Sequence, residues 1–170
     1  MELNLNSNDK KTLFEEIEGY LASCHLRVIN RDESRPWGGF FVLDESQANV
    51  FAKLFFPGVE LSSLQISGKL SPKILVVQPG KRLSWQYHHR RAEIWRVISG
   101  KVSVITSDSD VEGEHGTLVA GESIRLAQGQ RHRLVGLNDW GVVAEIWQHT
   151  DAGQPSNEED IVRLQDDFGR

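Results

Sequence analysis

The stretch Gly80–Gly100, G-K-R-L-S-W-Q-Y-H-H-R-R-A-E-I-W-R-V-I-S-G, decides the fold. Gln86 and His88 are two positions apart, so on a strand their side chains leave the same face. Glu93 comes five residues after His88, and a bend between them is needed to bring it alongside. From Glu93 the run A-E-I-W-R-V-I-S is rich in β-branched and aromatic residues and reads as a strand. The stretch is expected to form a hairpin-like unit aiming an amide oxygen, an imidazole and a carboxylate at one point. These are three ligand types suited to a borderline divalent cation. Parity puts Arg82, Ser84, Gln86 and His88 on one face and Leu83, Trp85 and Tyr87 on the other. Beyond the bend it places Trp95 and Val97 on the ligand side.

A second segment, Gly121–Gly136, reads G-E-S-I-R-L-A-Q-G-Q-R-H-R-L-V-G. Gly129 sits in a turn and His132 opens the strand after it, supplying a fourth ligand. The two segments together resemble the paired motifs of the cupin superfamily. Gly80, His88, Glu93 and Gly100 fall in register with the first motif, and Gln86 stands at its first His position. Gly121, Gly129 and His132 fall in register with the second, where Ala127 and Gly136 replace its Pro and Asn. The run Q-x-H-H-x-R-A-E-x-W further resembles the type II phosphomannose isomerases, including the isomerase domain of bifunctional mannose-1-phosphate guanylyltransferase/isomerases. Arg35-Pro36-Trp37-Gly38, Pro79-Gly80-Lys81-Arg82-Leu83-Ser84 and the ending Glu159–Arg170 match further family patterns. The likeness covers roughly residues 35–170, with extra chain between Asp44 and Leu70. Trp85, Tyr87, Arg90 and Ile94 depart from the residues most common there.

The resemblance implies an all-β cupin, a small antiparallel jelly-roll barrel with an N-terminal helix. The expected organisation is one cupin domain over 1–170: helix and first strand over 1–34, barrel over 35–150, C-terminal extension over 151–170. It implies one divalent metal ion on Gln86, His88, Glu93 and His132, with zinc the first choice and manganese, cobalt or nickel as alternatives. The implied reaction is aldose–ketose isomerisation of a sugar phosphate, mannose 6-phosphate to fructose 6-phosphate. Such chemistry needs a Lewis acid, a base tuned near neutral pH and a cationic phosphate clamp. Glu145, in the apolar strand A-E-I-W, is the candidate base. Arg91, in the ligand loop, is a candidate for stabilising the anionic intermediate. Lys73, Arg133 and Arg163 are phosphate candidates, although parity turns Arg133 away from His132. Two alternatives stay open: a non-haem iron dioxygenase using His88, Glu93 and His132, and a sugar-binding cupin without turnover.

Composition narrows the class. The 170 residues carry a net charge of −5, which disfavours non-specific nucleic-acid binding. The single cysteine, Cys24, excludes an intramolecular disulfide and fits a reducing compartment. No apolar run approaches the ~18 residues needed to cross a bilayer, and the polar start lacks a signal peptide. A cytoplasmic protein is expected. The length leaves no room for a nucleotide-binding domain, and no Gly-rich phosphate loop is present, so nucleotidyl transfer is not expected of these residues.

Elsewhere, Asn8–Ala22 has the spacing of an amphipathic helix, capped by Ser7 or Asn8, with packing on the sheet or a homodimer contact as its role. Arg35–Gly39 is a turn in which Arg35 either shapes the loop or faces the site. Asp44 caps a short helix over Ser46–Phe55 whose buried face is read as Val50, Phe51, Leu54 and Phe55; it packs on the barrel, or serves as a lid or an interface. Asp108, Asp110, Glu112 and Glu114 lie in a solvated loop without an EF-hand pattern. Short strands separated by Gly-containing turns, with no alternating helices, complete an antiparallel barrel.

Overall fold

The computed structural model describes residues 2–170, whose strands form a six-stranded and a five-stranded antiparallel sheet. Helix α1 (Lys10–Ser23) comes first. Its cap is Asp9 rather than Ser7 or Asn8: Asp9 Oδ2 accepts from the Thr12 backbone N–H at 3.0 Å and from the Thr12 hydroxyl at 2.9 Å. That satisfies N–H groups a helix start otherwise leaves orphaned. Leu13, Phe14, Ile17 and Leu21 form its buried face. Strands β1 (Val28–Asp32) and β2 (Gly38–Leu43) pair antiparallel. Asp44 then caps a 3-10 turn (Glu45–Gln47) leading into α2 (Ala48–Phe55) and the single turn α3 (Leu61–Leu64). Helix α2 buries Ala48, Phe51, Ala52 and Phe55, whereas Val50, expected inside, is 47% exposed. The Phe51–Phe55 spacing sets the apolar stripe, and Val50 falls beside it.

The remaining strands are β3 (Lys73–Val77), β4 (Trp85–Tyr87), β5 (Arg91–Ser99) and β6 (Lys101–Ser107). They are followed by β7 (Glu114–Val119), β8 (Ser123–Leu126), β9 (Arg131–Gly136), β10 (Gly141–His149) and β11 (Val162–Gln165). The larger sheet runs β1-β2-β3-β10-β5-β8 and the smaller β11-β4-β9-β6-β7. The expected hairpin over Gly80–Gly100 is therefore a corner. Strand β4 pairs with β9 and β11, and β5 pairs with β10 and β8. The chain leaves one sheet for the other around His89-Arg90 and returns at Gly100. There φ is +76°, and a Cβ would sit 2.3 Å from the Trp140 carbonyl oxygen. Lys101–Ser107 accordingly pairs with β7 and β9, not β5. Alternation of side chains specifies faces but not the neighbouring strand.

The corner makes the interior. Along β10, Val142, Ala144 and Ile146 join the core under the helices, while Val143, Glu145 and Trp147 turn the other way. Strand β3 divides likewise, Ile74 and Val76 outward, Lys73, Leu75 and Val77 inward. On β5 Ile94 goes outward, and Trp95 and Val97 join the barrel interior as parity predicts. Both faces of the middle strands are thus covered, and every residue of β10 is buried. The helical core holds Leu13, Phe14, Ile17 and Leu21 at 0% exposure against Phe41, Phe51 and Phe55, each such side chain contributing about 1.5–3 kcal/mol. Ala48, Phe51, Ala52, Phe55, Phe56, Leu64 and Leu70 of the 45–70 segment join this outer core, and none of its residues lines the barrel cavity; Gln148 Nε2 donates to the Leu64 carbonyl at 2.9 Å and ties α3 down.

Parity fails once before β4. Leu83 joins the interior cluster with Leu75, Val77 and Trp95, and Arg82 pairs with Asp167 at the surface. Only an isolated Arg82–Val135 bridge precedes β4, so the alternation is reset before Trp85. Opposite it, the Gly136 N–H donates to the Lys81 carbonyl at 2.7 Å, and a Cβ on Gly136 would lie 2.1 Å from the Gln78 carbonyl oxygen. That close approach means the Asn of the cupin motif would fit here only with a shift of the Gln78 backbone. No helix of the described residues is long and apolar enough to cross a membrane.

Candidate functional site

His132, on β9, is paired in register with Gln86 on β4. His88 follows β4 at the corner, and Glu93 comes from β5 in the facing sheet. The ligand atoms of His88, Glu93 and His132 lie within 4.8 Å of one another, all three residues buried. His88 Nε2 stands 3.1 Å from Glu93 Oε1, and His132 Nε2 stands 3.5 Å from Glu93 Oε2. Gln86 lines the same cavity; its Oε1 accepts from the Ser84 hydroxyl at 2.6 Å and keeps a second lone pair.

Both imidazoles are oriented by backbone carbonyls. His88 Nδ1–H donates to Asp160 O at 2.7 Å and His132 Nδ1–H to Gln130 O at 3.0 Å. Each ring therefore presents Nε2 to the Glu93 carboxylate, the arrangement that outer partners impose on metal-binding histidines. Burial holds the His88 pKa below its usual value. Burial pushes the Glu93 carboxyl up, but His88 and the Arg91 guanidinium more than reverse this and hold it well below the usual range. Glu93 Oε2 and His132 Nε2 are buried without a hydrogen-bond partner, a cost of about 1–3 kcal/mol for each such group. A divalent cation among the three side chains satisfies both atoms, so the residues fit a metal.

Arg91 is committed to the protein. Its Nε donates to Glu93 Oε1 at 2.8 Å, and its Nη1 to Ser156 Oγ at 2.8 Å and to the Asn157 and Asp160 carbonyls at 3.1 and 3.4 Å. Nη2 faces His88 Nε2 at 3.3 Å, and the guanidinium carbon lies 3.7 Å from the centroid of Trp147. The side chain lines the cavity, yet most of its fork is spent on Glu93 and on the segment after β10.

Glu145 lines the cavity from β10. Strand register sets it opposite Trp95, and Trp147 opposite Glu93. Trp95 Nε1–H donates to Glu145 Oε2 at 2.7 Å and Trp147 Nε1–H to Oε1 at 2.8 Å. Burial first, and then the nearby Glu93 charge, raise its pKa to about 7. Of the two indoles, Trp95 was expected on the ligand side as an apolar wall and Trp147 was not singled out from sequence; its i+2 spacing from Glu145 was the available signal.

Besides Arg91, four cations line the cavity: Arg35, Lys73, Arg163 and Arg170. Lys73 Nζ is bound to Glu158 at 2.6 Å, Arg35 to Asp32 at 3.0 Å and Arg170 to Asp166 at 2.8 Å. Arg163 has neither a side-chain hydrogen bond nor an ion pair among the described residues; the nearby Asp166 is taken by Arg170. Burial and the like charge of Arg170 lower the Arg163 pKa. Arg133 is not brought to the cavity. It alternates with His132, and it is buried on the other side of the sheet, donating to Leu83 O at 2.8 Å, to Glu112 at 2.6 Å and to Gln165 O at 3.1 Å. Arg170 was not singled out from sequence, although it closes the tail pattern that includes Arg163.

The family model described as Mannose-6-phosphate isomerase C-terminal matches residues 44–166. The chain is similar to a mannose-1-phosphate guanylyltransferase of Salmonella montevideo, 27% identical over 162 residues, covering 95% of this chain and 28% of that protein. It is 32% identical over 125 residues to the alginate biosynthesis protein AlgA of Pseudomonas aeruginosa, covering 74% of this chain and 24% of that one. It thus spans about a quarter of the length of these relatives. Among solved structures, a mutant of the Bacillus subtilis oxalate decarboxylase OxdC superposes with a TM-score of 0.56 at 14% identity, over 79% of this chain and 30% of that one, a likeness of fold. The two-sheet barrel is that of a cupin, and the chain belongs to the mannose-6-phosphate isomerase C-terminal family.

Proposed function

We propose that the protein is a metal-dependent isomerase interconverting an aldose phosphate and a ketose phosphate, with mannose 6-phosphate and fructose 6-phosphate the first pair to test. The observation that carries this reading is Glu145, a buried carboxyl with a pKa of about 7 on the wall of the cavity that Glu93, one of the three clustered ligands, also lines. Moving a proton between adjacent carbons needs a base poised near neutral pH. A divalent ion held by His88, Glu93 and His132, with Gln86 beside them, would supply a Lewis acid for the substrate carbonyl. Glu145 takes the proton from one carbon and returns it to the next, its oxygens fixed by the two indole N–H groups. Arg163 offers the substrate phosphate a free guanidinium fork, with Arg35, Lys73 and Arg170 adding positive charge around it. Family membership and the mannose-phosphate names of the relatives support the same substrate class.

The test is an isomerase assay of metal-reconstituted protein over a panel of aldose and ketose phosphates. Turnover of at least one pair is expected, abolished by chelation and restored by zinc, manganese or cobalt. Failure of every metallated form on the whole panel overturns the proposal. Oxygen uptake by the iron form would then favour a dioxygenase.

A further inference from the structure

The segment between β10 and β11 does more than connect them. Asp160 has 4% of its surface exposed, and its carboxylate collects three donors. Oδ1 accepts from the His89 backbone N–H at 2.9 Å, and Oδ2 accepts from the Arg90 N–H at 3.0 Å and the Ser156 hydroxyl at 2.6 Å. His89 and Arg90 form the corner between the two sheets, where His88 and Glu93 separate. The same residue's carbonyl accepts from His88 Nδ1–H and from Arg91 Nη1. Ser156 Oγ in turn accepts from Arg91, whose Nε holds Glu93. One short turn thus grips the corner backbone, the His88 ring and, through Arg91, the Glu93 carboxylate.

We propose that Asp160 is a positioning residue for the metal centre, which makes the C-terminal segment part of the ligand set's scaffold. The inference rests on the metal-binding reading above. Outer partners of this kind set ring orientation and ligand basicity, and their loss typically lowers metal affinity 10–100-fold. Coupling is reciprocal, so an ion at the site should also hold the segment down. Asp160 itself touches neither the ion nor the substrate.

The experiment measures zinc and cobalt affinity by competition with a chromogenic chelator, for wild type, Asp160→Asn, Ser156→Ala and Asp151→Ala. Asp151 lies in the same loop and caps it by accepting from the Gly153 and Gln154 N–H groups, without contact to the ligands, so it controls for general loosening. Affinity is expected to fall about 10–100-fold in Asp160→Asn and less in Ser156→Ala, and to stay at the wild-type value in Asp151→Ala. The cobalt d–d spectrum should change in Asp160→Asn, and hydrogen exchange at the His89 and Arg90 amides should slow on metal addition to wild type. Wild-type affinity and spectrum in both Asp160→Asn and Ser156→Ala overturn the proposal while leaving the metal reading intact. Equal losses in all three variants reduce it to loop stability and overturn it as well. Absence of metal binding by wild type overturns the metal reading and this proposal with it. Should Asp160→Asn fail to fold, Ser156→Ala against Asp151→Ala decides alone.

Discussion

Glu145 carries the most consequential charge in the molecule, because its protonation state changes in the neutral range. In the metal-free protein it holds a proton up to about pH 7, whereas in the unfolded chain it does so only up to about 4.5. Its contribution to stability is therefore full below pH 4.5 and lost as pH rises through 7, by about 3 kcal/mol at most. An infrared band of a buried protonated carboxyl should titrate out near pH 7 and be missing in Glu145→Gln. A bound cation lowers the pKa from that raised value, so turnover should rise with pH along a limb below 7, and Glu145→Gln should lose about 10²–10⁴ in kcat. Arg163 and Arg133 make a second test. Arg163→Ala should raise KM for the phosphorylated sugar about 10–100-fold, the loss of one charged hydrogen-bonding partner. Arg133→Ala should leave KM unchanged and lower stability, because it removes the side-chain donor to the Leu83 carbonyl and breaks the ion pair with Glu112. Equal KM changes in the two variants would contradict the assignment of Arg163 to the phosphate.

The β4–β5 corner is the element on which the site depends. A hairpin would have kept Gln86, His88 and Glu93 in one sheet; the crossing instead sends Glu93 to face them across the barrel. The turn at 79–81 and the start of β4 are held against β9 by the Gly136 approach. Gly136→Asn, which restores the motif residue, should destabilise the fold by about 1–3 kcal/mol through overpacking, measured as a shift in the urea midpoint at unchanged m-value. The helices lie on the far side of the larger sheet. Asp9→Ala should cost about 1 kcal/mol as the loss of an N-cap and leave metal affinity untouched, since no α1 residue lines the cavity and the helix touches it only through Lys10 Nζ on the Arg35 carbonyl, away from the ligands.

The whole molecule stacks three layers: helices, a six-stranded sheet and a five-stranded sheet, with the charged cavity between the two sheets and an apolar core under the helices. Because the ligands come from both sheets, an ion at the site links the sheets directly. A divalent ion at about a hundred times its Kd should then stabilise the folded chain by about 2.7 kcal/mol. His132→Ala should abolish that gain while retaining a cooperative thermal transition; an equal metal-induced rise in Tm in His132→Ala and wild type would exclude His132 as a ligand.

The sequence by itself determined the strands that carry the two motifs, the turn at Gly129 and the inward set Glu93, Trp95 and Val97, which follow from period-two alternation and from backbone conformations that favour glycine, both local properties of the chain. The motif resemblance added that His88, Glu93 and His132 converge. The sequence could not say that β4 and β5 part company, because alternation is identical whichever strand lies alongside. Nor could it give Leu83 its inward place, since the parity count runs through an irregular bridge. Only tertiary structure turned Arg91 onto Glu93 and Ser156, sent Arg133 to the opposite face, left Arg163 without a hydrogen-bond partner among the described residues and drew Asp160 under the corner. Those outcomes depend on register between strands distant in the chain, and a buried charge takes whichever partner that register delivers, because burying it without one costs more than any local preference supplies.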